Sequence, residues 1–247
     1  MSWTDNFQIR YAAFLDILGF KNKIKNAKQY SRLFDYLVGL PTHLIELAKQ
    51  NNWMDADVQC TAMSDSVVIS ARDKQISPIG IVPIVNITKT LFWEFIERGV
   101  VIRGGVTKGG LCHSGGVVFG QALNDAVDLE KNIALFSRIV TSIEIAKEWR
   151  TYWGTPGGLV AKLDEIREDY DGSYYIDPFQ FPESDSLDKE TYATFQRSGP
   201  ALTTMLNEPG MSLRERSKVV WLARQYNACS LVANRKICAS IQIPQPT

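Results

Sequence analysis

The stretch Tyr11–Phe20, YAAFLDILGF, decides how this chain is read. It begins as an apolar run suited to a buried strand and then sets one carboxylate, Asp16, ahead of a Gly-Phe step. An acid between a strand and a helix often caps the helix by accepting orphan backbone N–H bonds. A second acid in a matching setting changes the reading. Val58–Met63 and Val67–Ala71 are β-prone runs on either side of Ser64-Asp65-Ser66, a hairpin with Asp65 at its tip. Alone, Asp65 is an ordinary turn residue. If the first strand lies beside this hairpin, the two carboxylates approach each other at one end of a sheet. Left unpaired they repel, whereas hard divalent cations satisfy both. Bridged metals are a general device for activating an attacking oxygen and stabilising a leaving phosphate, so the pair points to phosphoryl transfer.

Working outward, Gln8–Leu15 reads as a strand and Lys21–Gln50 as helical, divided at Pro41. Pro78–Arg98 reads as a second long helix ended by Gly99, and Val100–Lys108 as a strand. Glycines cluster from Gly104 to Gly120, and the run GGLCHSGGVVFG, Gly109–Gly120, reads as a hairpin connection because it lacks the GxGxxG of a dinucleotide loop. His113 within it reads as a surface-loop histidine. Gln121–Lys131 is a short helix, Ser137–Ser142 a strand, Ile143–Tyr152 a helix and Ser173–Ile176 a strand. A Pro- and acid-rich loop, Asp177–Asp188, precedes a mainly helical part from Leu187 to Ala233 with breaks at Gly199-Pro200 and Pro209-Gly210. The aromatic residues Trp149, Tyr152, Trp153, Tyr174 and Tyr175 read as packing surface. The order predicts an α+β fold: a mixed β-sheet flanked by helices, with a mainly helical C-terminal extension. Residues 1–180 are expected to form the catalytic domain and 181–247 the extension packed on it.

Composition bounds the function. The chain has 247 residues, 45% of them hydrophobic, enough for a sizeable core. Lys+Arg and Asp+Glu both total 27, so there is no basic excess of the kind that marks a general nucleic-acid binder. Four cysteines without CxxC spacing and two histidines argue against a zinc site or a disulfide framework. MSWTDNFQIR has no signal-peptide pattern, and no apolar run approaches the ~20 residues needed to span a bilayer. A cytoplasmic protein with no nucleic-acid and no membrane partner is expected.

FLDILGF, MSDSVVIS, IRGGVTKGG and FGQALNDAVDLEK, in this order, resemble the class III nucleotidyl cyclase catalytic domain. The resemblance runs from about Ile9 to Ser142 and more weakly to about Ile176. It implies that Asp16 and Asp65 hold two metal ions, Mn²⁺ or Mg²⁺, with the carbonyl of Ile17 as a further ligand. It places Gly19 and Phe20 along the triphosphate, where backbone N–H groups serve better than the solvated Lys21 and Lys23. Arg103 falls on the family's phosphate-binding arginine, which suits a planar donor that stays charged; an ordinary ion pair is the alternative. Asn124 falls on the ribose-orienting asparagine, although an Asn near a helix start is also a common cap. The resemblance further implies a homodimer with shared active sites, Asp16 and Asp65 from one chain and Asn124 from the other.

The departures are informative. Where purine cyclases carry a transition-state arginine this chain has Asp128, which leaves Lys131, Arg138 or Arg103 to supply charge. Where purine cyclases read the base, it has Thr61 and Val117, and neither the adenine nor the guanine code survives. Loss of the purine readers resembles the pyrimidine cyclases of Pycsar antiphage systems, which make cyclic UMP or cyclic CMP for a separate cyclic-nucleotide-sensing effector. The expectation is a pyrimidine nucleotide cyclase, UTP preferred to CTP. The alternatives are a cyclase-like module that binds nucleotide without turnover, and a purine cyclase with atypical base contacts.

Overall fold

The computed structural model describes residues 7–26, 28–74, 80–153, 165–179, 189–232 and 241–243. An eight-stranded mixed sheet runs in the order β2-β3-β1-β4-β6-β8-β7, with β5 paired to β4. Its strands are β1 (Phe7–Ile17), β2 (Gln59–Met63), β3 (Ser66–Arg72), β4 (Ile102–Ser114), β5 (Val117–Gly120), β6 (Ile139–Thr141), β7 (Ile166–Glu168) and β8 (Tyr174–Ile176). The helices are α1 (Phe20–Lys25), α2 (Ser31–Gln50), α3 (Ile81–Glu97), α4 (Gln121–Asn132), α5 (Ile143–Trp153), α6 (Lys189–Leu206) and α7 (Leu213–Val232). The α+β class, the mixed sheet and the helical C-terminal part are as the sequence predicts.

The strand period of β1 explains the two faces of the sheet. Tyr11, Ala13, Leu15 and Ile17 all point into the main core, which they share with Leu40 and Leu44 of α2, Phe92 and Phe95 of α3 and Trp149 of α5. Phe195 and Leu202 of α6 and Leu222 and Tyr226 of α7 belong to the same cluster, so the C-terminal helices pack into it too. The opposite face carries Arg10, Ala12, Phe14 and Asp16, and α4 lies against it through Ala12, Leu111 and Ala122. Close approach needs Gly105: a Cβ there would stand 2.2 Å from the carbonyl oxygen of Ala126 in α4.

Several boundaries differ from the sequence reading. Pro41 does not divide α2; the helix runs through it, and the chain breaks earlier, between α1 and α2. Leu37, Leu40 and Leu44 are buried around the proline, and their burial outweighs the ~3 kcal/mol a helix-interior proline costs. In the same way α6 continues through Gly199-Pro200, while the break at Pro209-Gly210 is present. Strand β7 was not foreseen. Pro78, Cys238 and the residues 180–188 of the expected acidic loop lie outside the described residues.

His113 is not in a surface loop. The β4–β5 turn falls two residues later, at Gly115-Gly116, both with positive φ, and His113 itself sits in β4 at 5% exposure. Among the described residues the thiols of Cys60 and Cys112 are outside any disulfide, and Cys229 Sγ lies 3.5 Å from the Phe179 carbonyl. No helix among them is long and apolar enough to cross a membrane.

Candidate active site

Strand register builds the site. Asp16 is the penultimate residue of β1 and pairs with Ser66 of β3 on one side and Arg103 of β4 on the other. Met63 of β2 completes the row through Ser66. The N–H of Ile17 donates to the main-chain carbonyl of Asp65 across 2.7 Å, so the hairpin tip is fastened to the end of β1. Asp16, Ile17, Asp65 and Arg103 therefore meet at one end of the sheet. Leu18 N–H is tied to the Val101 carbonyl at 3.0 Å, which directs the chain into α1.

Gly19 precedes α1 with φ +72, a left-handed conformation that favours glycine. A Cβ there would stand 3.1 Å from Oε1 of Glu215 in α7, so space restricts the position as well. The Phe20 ring is a core anchor, packed edge-on against Phe34 at 6.0 Å, which leaves its main chain as the part able to face a ligand. Lys21 is exposed. Lys23 is buried over the Tyr30 ring at 4.5 Å and 3.9 Å from Glu208, and burial holds its pKa below the usual lysine value.

Arg103 links two acids. Its Nε donates to Asp16 Oδ2 at 3.2 Å, another nitrogen forms an ion pair with Glu130 of α4, and a third donates to the Ala134 carbonyl at 3.3 Å. Asp16 is 23% exposed and the Glu130 side chain 4%, so the exposed end of this bridge is Asp16. Burial, opposed chiefly by Arg103, raises the Glu130 pKa above the usual carboxylate value. Sequence reading gave Glu130 no role at the site, although it stands in the quoted LEK segment. It also missed Lys218 of α7, a 5%-exposed lysine whose pKa is lowered by burial and by Arg103 and Arg214, and raised by Asp16 and Glu130. Neither had a local motif to announce it, because each acquires its surroundings only through tertiary packing, Glu130 of α4 against Arg103 of β4 and Lys218 through the docking of α7.

The candidates for the missing transition-state charge fare unequally. Arg138 is fully buried, with its guanidinium committed to Asp169, Asp171 and the Ile133 carbonyl, and is withdrawn from the role. Lys131 and Asp128 are exposed on α4.

Thr61 lies on the face that carries Asp16, one row away: it pairs with Val68, which pairs with Phe14. It is buried, and its hydroxyl meets His113 Nε2 at 2.9 Å. Val117 is 58% exposed on β5, opposite Ser114. Asn124 is exposed on α4, and no hydrogen bond joins it to Asp16 or Asp65 among the described residues.

Among the described residues no three His, Cys, Asp or Glu side chains gather as a metal cluster. The donors on offer are the Asp16 and Asp65 carboxylates and nearby main-chain oxygens, hard ligands of the type Mg²⁺ and Mn²⁺ take. The donor chemistry fits those ions, with Arg103 as the competing cation on Asp16.

No known family profile and no curated protein matches the chain. The solved structures it resembles include nucleotide cyclase catalytic domains. One is the monomeric guanylyl cyclase domain of the RhoGC fusion protein from Blastocladiella emersonii, at 15% identity over 69% of this chain and 95% of that one, with a TM-score of 0.49. A second is the guanylate cyclase domain of RhGC from Catenaria anguillulae in complex with GTP, at 17% identity, 69% and 96% coverage and a TM-score of 0.46. A third is an adenylate/guanylate cyclase/hydrolase from Silicibacter pomeroyi, at 15% identity, 69% and 95% coverage and a TM-score of 0.41.

Proposed function

We propose that this protein is a class III-type nucleotide cyclase that converts a pyrimidine nucleoside triphosphate, UTP before CTP, to its 3′,5′-cyclic monophosphate and pyrophosphate. One observation carries the reading: Asp16 and Asp65, far apart in sequence, meet at one sheet end, with Ile17 N–H bonded to the Asp65 carbonyl at 2.7 Å. The reaction is attack of the ribose 3′ oxygen on the α-phosphate in line with departing pyrophosphate, and the protein's share is alignment and charge stabilisation. Divalent cations, when bound, supply Lewis acidity and lower the pKa of the attacking oxygen.

Asp16 and Asp65 provide the negative charge and oxygen ligands for those cations, with Ile17 a main-chain donor beside them. Gly19 and Phe20 offer main-chain N–H groups to the triphosphate. Arg103 is held in reach by Glu130, so it keeps a partner when it leaves Asp16 for phosphate oxygens. Asn124, exposed on α4, is free to orient a ribose held by a second copy, which supports a homodimer with shared sites. Within the chain, residues 1–180 act as the catalytic domain and 181–247 as the extension. The pyrimidine preference rests on Thr61 and Val117 in place of purine readers. A cyclic pyrimidine nucleotide has the character of a signal, as in Pycsar antiphage defence, acting on a separate effector in the cytoplasm.

A second reading has its own support: the Arg103–Asp16 pair at 3.2 Å and Asp128 on α4 fit a module that binds nucleotide without turnover. Incubation with each of the four NTPs and Mn²⁺, followed by detection of pyrophosphate and cyclic product, separates the readings. Product from UTP supports the proposal. Product from ATP or GTP alone makes it a purine cyclase, and no product from any NTP leaves the binding module.

A further inference from the structure

The sheet face that carries Asp16 also carries a buried polar chain that ends on Thr61. Arg10 is 2% exposed; it is ion-paired with Asp57 at 2.7 Å, and its Nε donates to Ser70 Oγ at 2.9 Å. Ser70 Oγ lies 2.8 Å from His113 Nδ1, and His113 Nε2 lies 2.9 Å from Thr61 Oγ1. Exposure rises along the chain, from 0% at Ser70 through 5% at His113 to 8% at Thr61. Gln59 supports its far end by donating to Asp57 at 2.7 Å.

The direction of this relay is fixed by its first member, because an arginine side chain only donates. Ser70 Oγ accepts from Arg10, and the other partner of that hydroxyl among the described residues is His113 Nδ1. A neutral imidazole carries one N–H. If that proton sat on Nδ1, Ser70 would accept twice and its own O–H would be buried without an acceptor. If it sits on Nε2, Ser70 donates to Nδ1, Nε2 donates to Thr61 Oγ1, and the spare O–H belongs to Thr61. The second arrangement pairs the Ser70 and His113 hydrogens and leaves the one spare hydrogen on Thr61, the terminal and least buried of these three at 8% exposure. Burial and the neighbouring Arg10 keep His113 neutral, with its pKa lowered to about 4.

We infer that Thr61 is a specificity-determining residue that presents a hydrogen-bond donor to the base, with His113 and Ser70 as positioning residues, and that it selects uracil over cytosine. A donor at this place donates to a carbonyl oxygen, which uracil offers at C4, and faces an amino group in cytosine. To serve cytosine, Thr61 must accept a second hydrogen bond and turn its own O–H away unpaired, or the relay must reverse and leave the Ser70 hydrogen unpaired; either way one buried hydrogen loses its partner, which disfavours CTP by roughly five- to hundred-fold. This rests on the proposed function, which places the base beside Thr61.

The test measures kcat/KM for UTP and CTP with Mn²⁺, and calorimetric binding of both nucleotides, on the full chain and on Thr61→Val and Ser70→Ala. The histidine ¹⁵N shifts of the unaltered protein are recorded alongside; with only two histidines, assignment is direct. The expected results are an Nε2-protonated His113, a UTP:CTP ratio of about five or more, and a ratio near unity in Thr61→Val, with a smaller fall in Ser70→Ala. A proton on Nδ1, a preference for CTP, no binding of either nucleotide, or an unchanged ratio in Thr61→Val overturns the inference. If no NTP is turned over, the cyclase reading fails by itself, and the binding ratio with the tautomer still decides the role of Thr61. If the variants fail to fold, the tautomer and the ratio in the unaltered protein decide it.

Discussion

Asp16 Oδ2 accepts a hydrogen bond from Arg103 Nε at 3.2 Å, the same guanidinium that forms an ion pair with Glu130. In this state an arginine neutralises the acid that a metal would otherwise take, and the buried Glu130 anchors the arginine for either arrangement.

Removal of an acid should therefore stop chemistry without unfolding the protein. In Asp16→Ala, Arg103 keeps Glu130 and the Ala134 carbonyl as partners, and a partly exposed pair contributes about 1 kcal/mol or less. Activity should fall by more than about 100-fold in Asp16→Ala and in Asp65→Ala, beyond the loss typical of altering a residue behind the ligands. Steady-state cyclisation rates and thermal melts check both halves.

Glu130→Gln should behave differently. It removes the charge that holds Arg103 when Asp16 turns to a cation, so phosphate binding should weaken and KM rise more than kcat falls. Steady-state kinetics with UTP measure the split; equal effects on kcat and KM, or none, contradict an anchoring role.

Arg138 is a stability element. Its fork on Asp169 and Asp171 is buried at the arginine end, and the hydrogen bond from Arg138 holds the Asp171 carboxyl well below the usual carboxylate range. Arg138→Met should cost roughly 3 kcal/mol by stranding the two acids, while kcat per folded molecule stays near the parent value. Urea denaturation and active-site titration separate the two effects.

His113 predicts an acid-side loss of stability. Its pKa is about 4 in the fold, against about 6.5 in an unfolded chain. Between these values the unfolded state holds the extra proton, so the contribution is whole above about pH 6.5 and falls as pH drops toward 4, by at most roughly 3 kcal/mol. Urea midpoints at pH 7.5 and 5.0 should differ in the parent protein, with this component of the slope absent in His113→Asn.

Shared sites should complement each other. Mixing Asp65→Ala chains with Asn124→Ala chains should restore up to about a quarter of parental activity, since half of randomly formed dimers are mixed and each regains one of two sites. Recovery of none contradicts the division of the site between copies.

Much of this was legible in the sequence, for identifiable reasons. Strand β1 announces itself by an uninterrupted apolar run, and Asp65 by the Ser-Asp-Ser tip between two β-prone runs, so the row joining them follows from pairing alone. Pro41 and Pro200 mislead because a local cost of ~3 kcal/mol is overridden by burial on both sides of each, at Leu40 and Leu44 and at Ser198 and Leu202. His113 misleads because its neighbours are turn glycines, whereas its partners Thr61 and Ser70 come from another hairpin. Glu130 and Lys218 have no local signature, since each acquires its surroundings from strands or helices distant in sequence.

The most direct test of the central claim is diffraction at the manganese absorption edge from crystals soaked in Mn²⁺ and a non-cyclisable UTP analogue. Anomalous peaks at coordination distance, about 2.1 Å, from carboxylate oxygens of both Asp16 and Asp65, with Arg103 turned to the phosphates, are the predicted result. Asp16 still bonded to Arg103, with no peak between the two acids, would contradict it.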